Sequence, residues 1–324
     1  MGTTPGLLEY MAQKSRATET AIDSPDRRTT GVTRRSYVRS LAAVAAATTG
    51  AAMVGTAAAA DYETITISAG EDRTIHVDDG ETFENTLIDC TASGARVTVA
   101  AHATDWTIRN VAIEGNLDVG RPAAVFGLSD VENGTSTFEN VYLGDGSTNA
   151  GDATSETGIW VSPEHNGHLD ISRVNVQEFP DNGIYASAPA GAGGGTVHID
   201  RCFAANNYVS NFRIGSEGSA VTNSSVYLDD DGYDGRGIWV WSPGPCEIEN
   251  CQLEMDGRHY AIHAGANGNG STAVVADTDY DTGFNGGVEE RFGSRLELDD
   301  VGTDPEPFVP DGVPTSPEDA AAGD

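Results

Sequence analysis

The chain has 324 residues, with 50 acidic against 18 basic side chains and a formal net charge of −32. From residue 61 onward it holds 11 Arg, no Lys and 46 acids. So negative a surface repels itself in dilute buffer and becomes tolerable once salt shortens the Debye length to a few Å; it excludes nucleic acid as a partner, because little here could neutralise a phosphate backbone.

Residues 1–60 read as a leader. Thr33-Arg34-Arg35-Ser36-Tyr37-Val38-Arg39 is a twin-arginine pattern, with an aromatic two places after the Arg pair. No charge follows between Arg39 and Asp61, and Ala58 and Ala60 suit a cleavage site. A membrane anchor is the alternative, since about twenty uncharged residues can span a bilayer, but this run is rich in Ala and Gly. The expectation is twin-arginine export of a folded protein to the cell surface or medium, with no membrane span after cleavage.

Residues 61–84 are expected to cap a solenoid that occupies 85–297, with 281–297 covering its other end. The segments 107–113, 137–143, 170–176, 198–204, 220–226, 247–253 and 274–280 align, opening on Ile108, Phe138, Ile171, Ile199, Val221, Ile248 and Val275. A weaker copy is placed at Ile88, giving a mean period of about 27 residues. Within a copy, apolar residues fall at Ile108, Val111 and Ile113, a step of three followed by a step of two. A single strand keeps period two, so the chain turns a corner at Asn110 and at its counterparts Asn140, Arg173, Arg201, Asn223, Asn250 and Asp277. Asn tolerates left-handed backbone angles, and stacked Asn side chains can form an amide ladder. A third strand follows in each coil, at 124–127, 158–161, 183–186, 211–214, 237–240 and 261–264. The fold expected is all-β, a parallel β-helix of about seven or eight coils with three short strands each. A β-sandwich is the rival, but its turns would not repeat at one period.

The tail 298–324 is acidic and Pro-rich, and composition marks it as disordered. Cys90, Cys202, Cys246 and Cys251 have no metal-ligand spacing. Cys202 and Cys251 share an inward column but sit two coils apart, about 10 Å and beyond disulfide reach, so four buried free thiols are expected.

The pattern I-x-N-V-x-I … N-G-I-x-V resembles the right-handed parallel β-helix repeats of the pectin-lyase-like superfamily over residues 85–285. The twin-arginine leader and the acidic composition resemble secreted proteins of extreme halophiles. The resemblance implies a substrate cleft on the third strand and its loops. The polygalacturonase-type motifs Asn-Thr-Asp, Gly-His-Gly and Arg-Ile-Lys are absent, and the pectate-lyase calcium and Arg-x-Pro set is incomplete.

On the third strand, the outward column is read as Phe126, Trp160, Tyr185, Arg213, Trp239 and His263, with Trp241 facing the same way. At about 4.8 Å per coil this is an exposed stripe on which an extended polysaccharide could stack. A ladder that only stiffens the sheet is the alternative. The candidate substrate-binding residues are Phe126, Trp160, Tyr185, Arg213, Trp239 and Trp241. Long loops at 144–157 and 227–236 are expected to wall the stripe. Candidate catalytic residues are Asp181, Arg213, Asp231, Asp234, His259 and His263. A lyase would use a His base with Arg213 or Ca²⁺ stabilising the enolate-like charge, whereas an inverting glycosidase would draw two carboxyls from Asp181, Asp231 and Asp234. Asp229, Asp231 and Asp234 could hold Ca²⁺ through oxygen ligands; no cofactor is certain. The partner expected is an extracellular polysaccharide or envelope glycan, the protein being a monomer. A polysaccharide lyase or hydrolase and a non-catalytic glycan-binding β-helix both remain open.

Overall fold

The structure, a computed structural model, describes residues 62–117, 123–147, 156–187, 194–230 and 232–323. The twin-arginine motif and the Ala-rich run lie outside the described residues, among which no helix is long and apolar enough to cross a membrane. The described residues wind as a parallel β-solenoid of about eight turns with almost no helix among them. A 14-stranded and a 9-stranded sheet share the coils, the chain passing from one to the other in every turn. From Thr196 onward the larger sheet divides at each turn into two short strands, such as Thr196–Asp200 and Phe203–Ala205. In earlier turns the two run on as one bent strand, as in Thr107–Glu114.

The bend sits where the apolar period slips. Asn110, Asn140, Arg173, Arg201, Asn223, Asn250 and Asp277 all adopt φ between 48° and 54°, the left-handed region that turns a chain sharply. Asn140 Nδ2 donates to Asn110 Oδ1 at 2.9 Å, and Asn110 Nδ2 to Asn85 Oδ1 at 2.8 Å. The ladder breaks at Arg173, which pairs with Glu139 at 2.9 Å instead. It resumes as Asn250 donates to Asn223, and Asn223 to Asp200.

The first copy needs correction. Ile88 pairs with Ile113, whereas Phe83 is the partner of Ile108 and Asn85, at φ 49°, is the corner. The stretch 61–84 contributes two further solenoid strands, Glu63–Thr66 and Asp72–His76, each paired in parallel with the next coil.

One inward column runs from Phe83 through Ile108, Phe138, Ile171, Ile199, Val221, Ile248 and Val275 to Leu298. Its members from Ile108 to Val275 are no more than 1% exposed, and burying each such side chain stabilises by about 1.5–3 kcal/mol. All four cysteines are free and buried, and desolvation pushes each thiol up to about 12.

The tail is not disordered. Residues 302–323 form a strap that runs back over one outward column of the larger sheet, two places beyond the corners. That column is Leu87, Ala112, Tyr142, Asn175, Phe203, Ser225, Gln252 and Asp279. The strap meets its members in reverse order. Gly302 bridges Asp279; Glu306 N donates to Gln252 Oε1 at 2.8 Å and Phe308 N to Ser225 Oγ at 3.1 Å. Val313 packs against Phe203, and Asn175 Nδ2 donates to Pro314 O at 2.8 Å. The helix Pro317–Ala322, capped by the Ser316 side chain, ends the strap by setting Ala320 and Ala321 against Leu87, Ala112 and Tyr142. Composition had weighed the scarcity of large apolar residues; what anchors this strap is hydrogen bonds and small side chains.

Candidate functional site

The outward column of the smaller sheet is Ala100, Gly127, Trp160, Tyr185, Arg213, Trp239, His263 and Glu289. Every expected member from Trp160 to His263 is therefore in register. Phe126 is the exception: it pairs with Ile159, is fully buried, and packs edge-on against Phe138 at 4.9 Å. Gly127 holds the outward place there. Glycine also opens the third strands for a reason: a Cβ on Gly183 would stand 2.8 Å from Asn211 O, and one on Gly237 would run into Ala261 O.

The row is less exposed than expected. Trp160 is only 3% exposed and has His102 at its edge, 6.3 Å between centroids, so it offers no stacking face. Arg213 and His263 are buried as well, 6% and 1% exposed, while Tyr185, Trp239 and Trp241 remain half-buried. Arg213 lies among these three rings, its guanidinium carbon 4.0 Å from the Tyr185 centroid, 4.6 Å from Trp239 and 3.7 Å from Trp241. Arg236 stacks on Trp239 at 4.1 Å. Trp239 and Trp241 contact each other at 4.9 Å, and the Trp239 indole donates to Gly265 O at 3.1 Å. Guanidinium planes over indole faces are worth about 0.5–2 kcal/mol each, more where water is excluded.

The candidate acids and bases are held by neighbours. Arg236 Nε donates to His263 Nδ1 at 3.0 Å, which consumes that lone pair. Burial first, then the charge of Arg236, hold His263 down to about 2. The same causes hold His259 down to about 3; its Nδ1 accepts from Tyr260 N at 2.7 Å, and its ring stacks on Phe284. Both imidazoles are thus neutral with Nδ1 occupied. Asp181 accepts from the Thr157 hydroxyl at 2.7 Å and from Asn182 Nδ2 at 2.8 Å; burial raises its pKa, while Thr157, Arg213 and Asn182 oppose that rise. Asp234 is exposed, 3.9 Å from Arg258. Asp229 accepts from Asn206 Nδ2 at 2.9 Å, and Arg258 donates to the Asp229 carbonyl at 3.1 Å. Asp231 and residues 148–155 of the other expected wall lie outside the described residues. Among the described residues, Asp229 and Asp234 do not converge as metal ligands.

Sequence reasoning passed over one constellation, His168, Asp170 and His198 on the larger sheet. The alignment of copies held the signal, since Asp170 and His198 both open their copies and so occupy one outward column.

What the fold and this face define is a parallel β-solenoid with an outward aromatic–arginine cluster on its smaller sheet. No family model matches the chain, and no curated protein and no solved structure is significantly similar to it.

Proposed function

We propose that this chain is an exported glycan-binding β-solenoid, with Tyr185, Trp239, Trp241 and Arg213 forming the platform on which a sugar chain rests. The observation that carries this reading is the clamping of Arg213 among three half-buried rings. Flat, rigid aromatic surface is what stacks on pyranose rings, and a guanidinium beside it can receive a uronate carboxylate on its edge. The resemblance of the repeats to the pectin-lyase-like superfamily supports assigning the ligand to this face. Binding is favoured over lyase or hydrolase chemistry because His259, His263 and Asp181 are each engaged by protein partners. The twin-arginine motif and the excess of acids support export and work in concentrated salt, as in secreted haloarchaeal proteins.

The test is affinity for polygalacturonate and for a neutral glucan in molar KCl. Wild type is compared with Trp241→Ala, Trp239→Ala and Arg213→Met, folding being checked by circular dichroism. Each Trp truncation should cost about 1–2 kcal/mol of binding to both polymers, and Arg213→Met should weaken the acidic polymer selectively. Equal affinity in all four proteins, or no binding of either polymer by wild type, overturns the proposal.

A further inference from the structure

The His–Asp–His constellation lies on the outer face of the larger sheet. His168 and Asp170 stand two residues apart on the strand His168–Gln177 and so face the same way. Asp170 is the register partner of His198 on the next coil. The two imidazoles meet at 4.5 Å between centroids, nearly perpendicular at 86°. Each of the three residues offers one ligand atom, and these atoms all lie within 4.8 Å of one another.

The hydrogen bonds around them fix the free nitrogen of His198 and permit one on His168. His198 Nε2 is 3.0 Å from Gly218 O. A carbonyl only accepts, so Nε2 carries the proton and Nδ1 keeps its lone pair. His168 Nδ1 is 2.8 Å from the Thr196 hydroxyl, and its Nε2 is 2.9 Å from Asp170 Oδ1. The Thr196 hydroxyl can donate or accept, so His168 either donates Nε2–H to Asp170 or, with Nδ1–H donating to Thr196, turns its Nε2 lone pair toward that carboxylate, the tautomer in which a cation would sit between them. This is the usual setting of a ligating imidazole, whose second nitrogen donates to an outer partner that orients it. The register neighbours Thr135, Thr137 and Ala220 are small, leaving room for water in the remaining coordination positions.

We propose that His168, Asp170 and His198 bind a borderline divalent metal ion, Zn²⁺ in type, with water completing the shell. Two imidazoles and one carboxylate suit such an ion, whereas Ca²⁺ and Mg²⁺ require oxygen donors throughout. Because its ligands come from consecutive coils, the ion ties one turn of the solenoid to the next.

Co²⁺, which takes the same ligands and absorbs visibly, is titrated into the full chain in molar KCl, where loose association with surface carboxylates is suppressed. Zn²⁺ affinity is then measured by displacement, for wild type, His198→Ala, Asp170→Asn and the control Asp304→Asn, an exposed acid. One equivalent of Co²⁺ with a d–d band should appear in wild type and the control. Loss of the band and at least a tenfold weaker Zn²⁺ affinity are expected in His198→Ala, with a smaller weakening in Asp170→Asn. His198 is exposed, so its truncation leaves the fold in place, and Zn²⁺ should raise the melting temperature of wild type but not of that variant. The same band and affinity in His198→Ala, or only weak multi-site uptake in wild type, overturns the site.

Discussion

Replacing Asn140 by Ala or by Gly separates the two roles of a corner residue. Asn140 is 4% exposed and holds φ 52°. Its Nδ2 donates to Asn110 Oδ1 at 2.9 Å and to Ala320 O at 3.2 Å. An Ala at this angle costs about 1–2 kcal/mol of backbone strain. Each lost hydrogen bond adds about 0.5–1.5 kcal/mol, so Asn140→Ala should destabilise by about 2–5 kcal/mol. Gly loses the same bonds without the strain, and its extra unfolded-state entropy costs only about 0.5–1 kcal/mol. Asn140→Gly should therefore be the more stable variant by about 0.5–1 kcal/mol, the reverse of the usual order within a strand. Urea midpoints at fixed molar KCl read the difference, and a melting shift of about 2–4 °C per kcal/mol should accompany it. If Asn140→Ala equals or exceeds Asn140→Gly in stability, the left-handed corner is not what demands Asn.

The depressed His263 makes stability depend on pH. Its folded pKa of about 2 lies below its unfolded value near 6.5, so its contribution is complete above about pH 6.5 and is lost as pH falls, by up to about 1.4 kcal/mol per unit. His263→Gln, which can still accept from Arg236, should flatten the fall in urea midpoint between about pH 6.5 and 5; an unchanged slope refutes the assignment. Val313→Asp sets a carboxylate against Phe203 and should release the strap, raising hydrogen exchange in 306–323 and at Phe203–Ala205 while the smaller sheet stays protected. Uniform protection in that variant would show that the strap contributes no cover. With thiols held near 12 and buried, a colorimetric disulfide reagent should leave the native protein unmodified and titrate four thiols in urea; rapid native labelling would place a cysteine outside the core.

The corners and columns were legible because a β-solenoid imposes one local rule per coil. The slip from Ile108 to Val111 to Ile113 marks the bend, and left-handed Asn at that slip has a steric cause. Phe126 was misplaced by one residue because the alignment matched small-then-aliphatic residues, while the actual frame matches Phe126-Gly127 to Ile159-Trp160. Asn85 was missed although Thr-Phe-Glu-Asn recurs at 82–85 and 137–140. The strap was illegible from its own composition, yet the column it covers announced it: Leu87, Tyr142 and Phe203 point outward, and such side chains need a cover. Exposure of the aromatic row was legible only in part, since the alignment gives which way Trp160 points but not that His102 lies at its edge.

The strap also reverses the usual relation between synthesis and completion. A solenoid grows turn by turn, each coil needing only its predecessor, and the N-terminal part of a chain folds first as it emerges. Here the seam over Leu87, Ala112 and Tyr142 stays bare until Ala320 and Ala321 have been made, although the coils carrying it are among the earliest. Tyr62 packs in that same cluster, so the two ends of the described chain meet at one place. A chain lacking residues 302–323 would keep every coil and uncover Leu87, Tyr142 and Phe203 in a column that is otherwise small or polar. The first turn and the last residues therefore cover the same cluster, a contact between coils that a linear stack of neighbours does not provide.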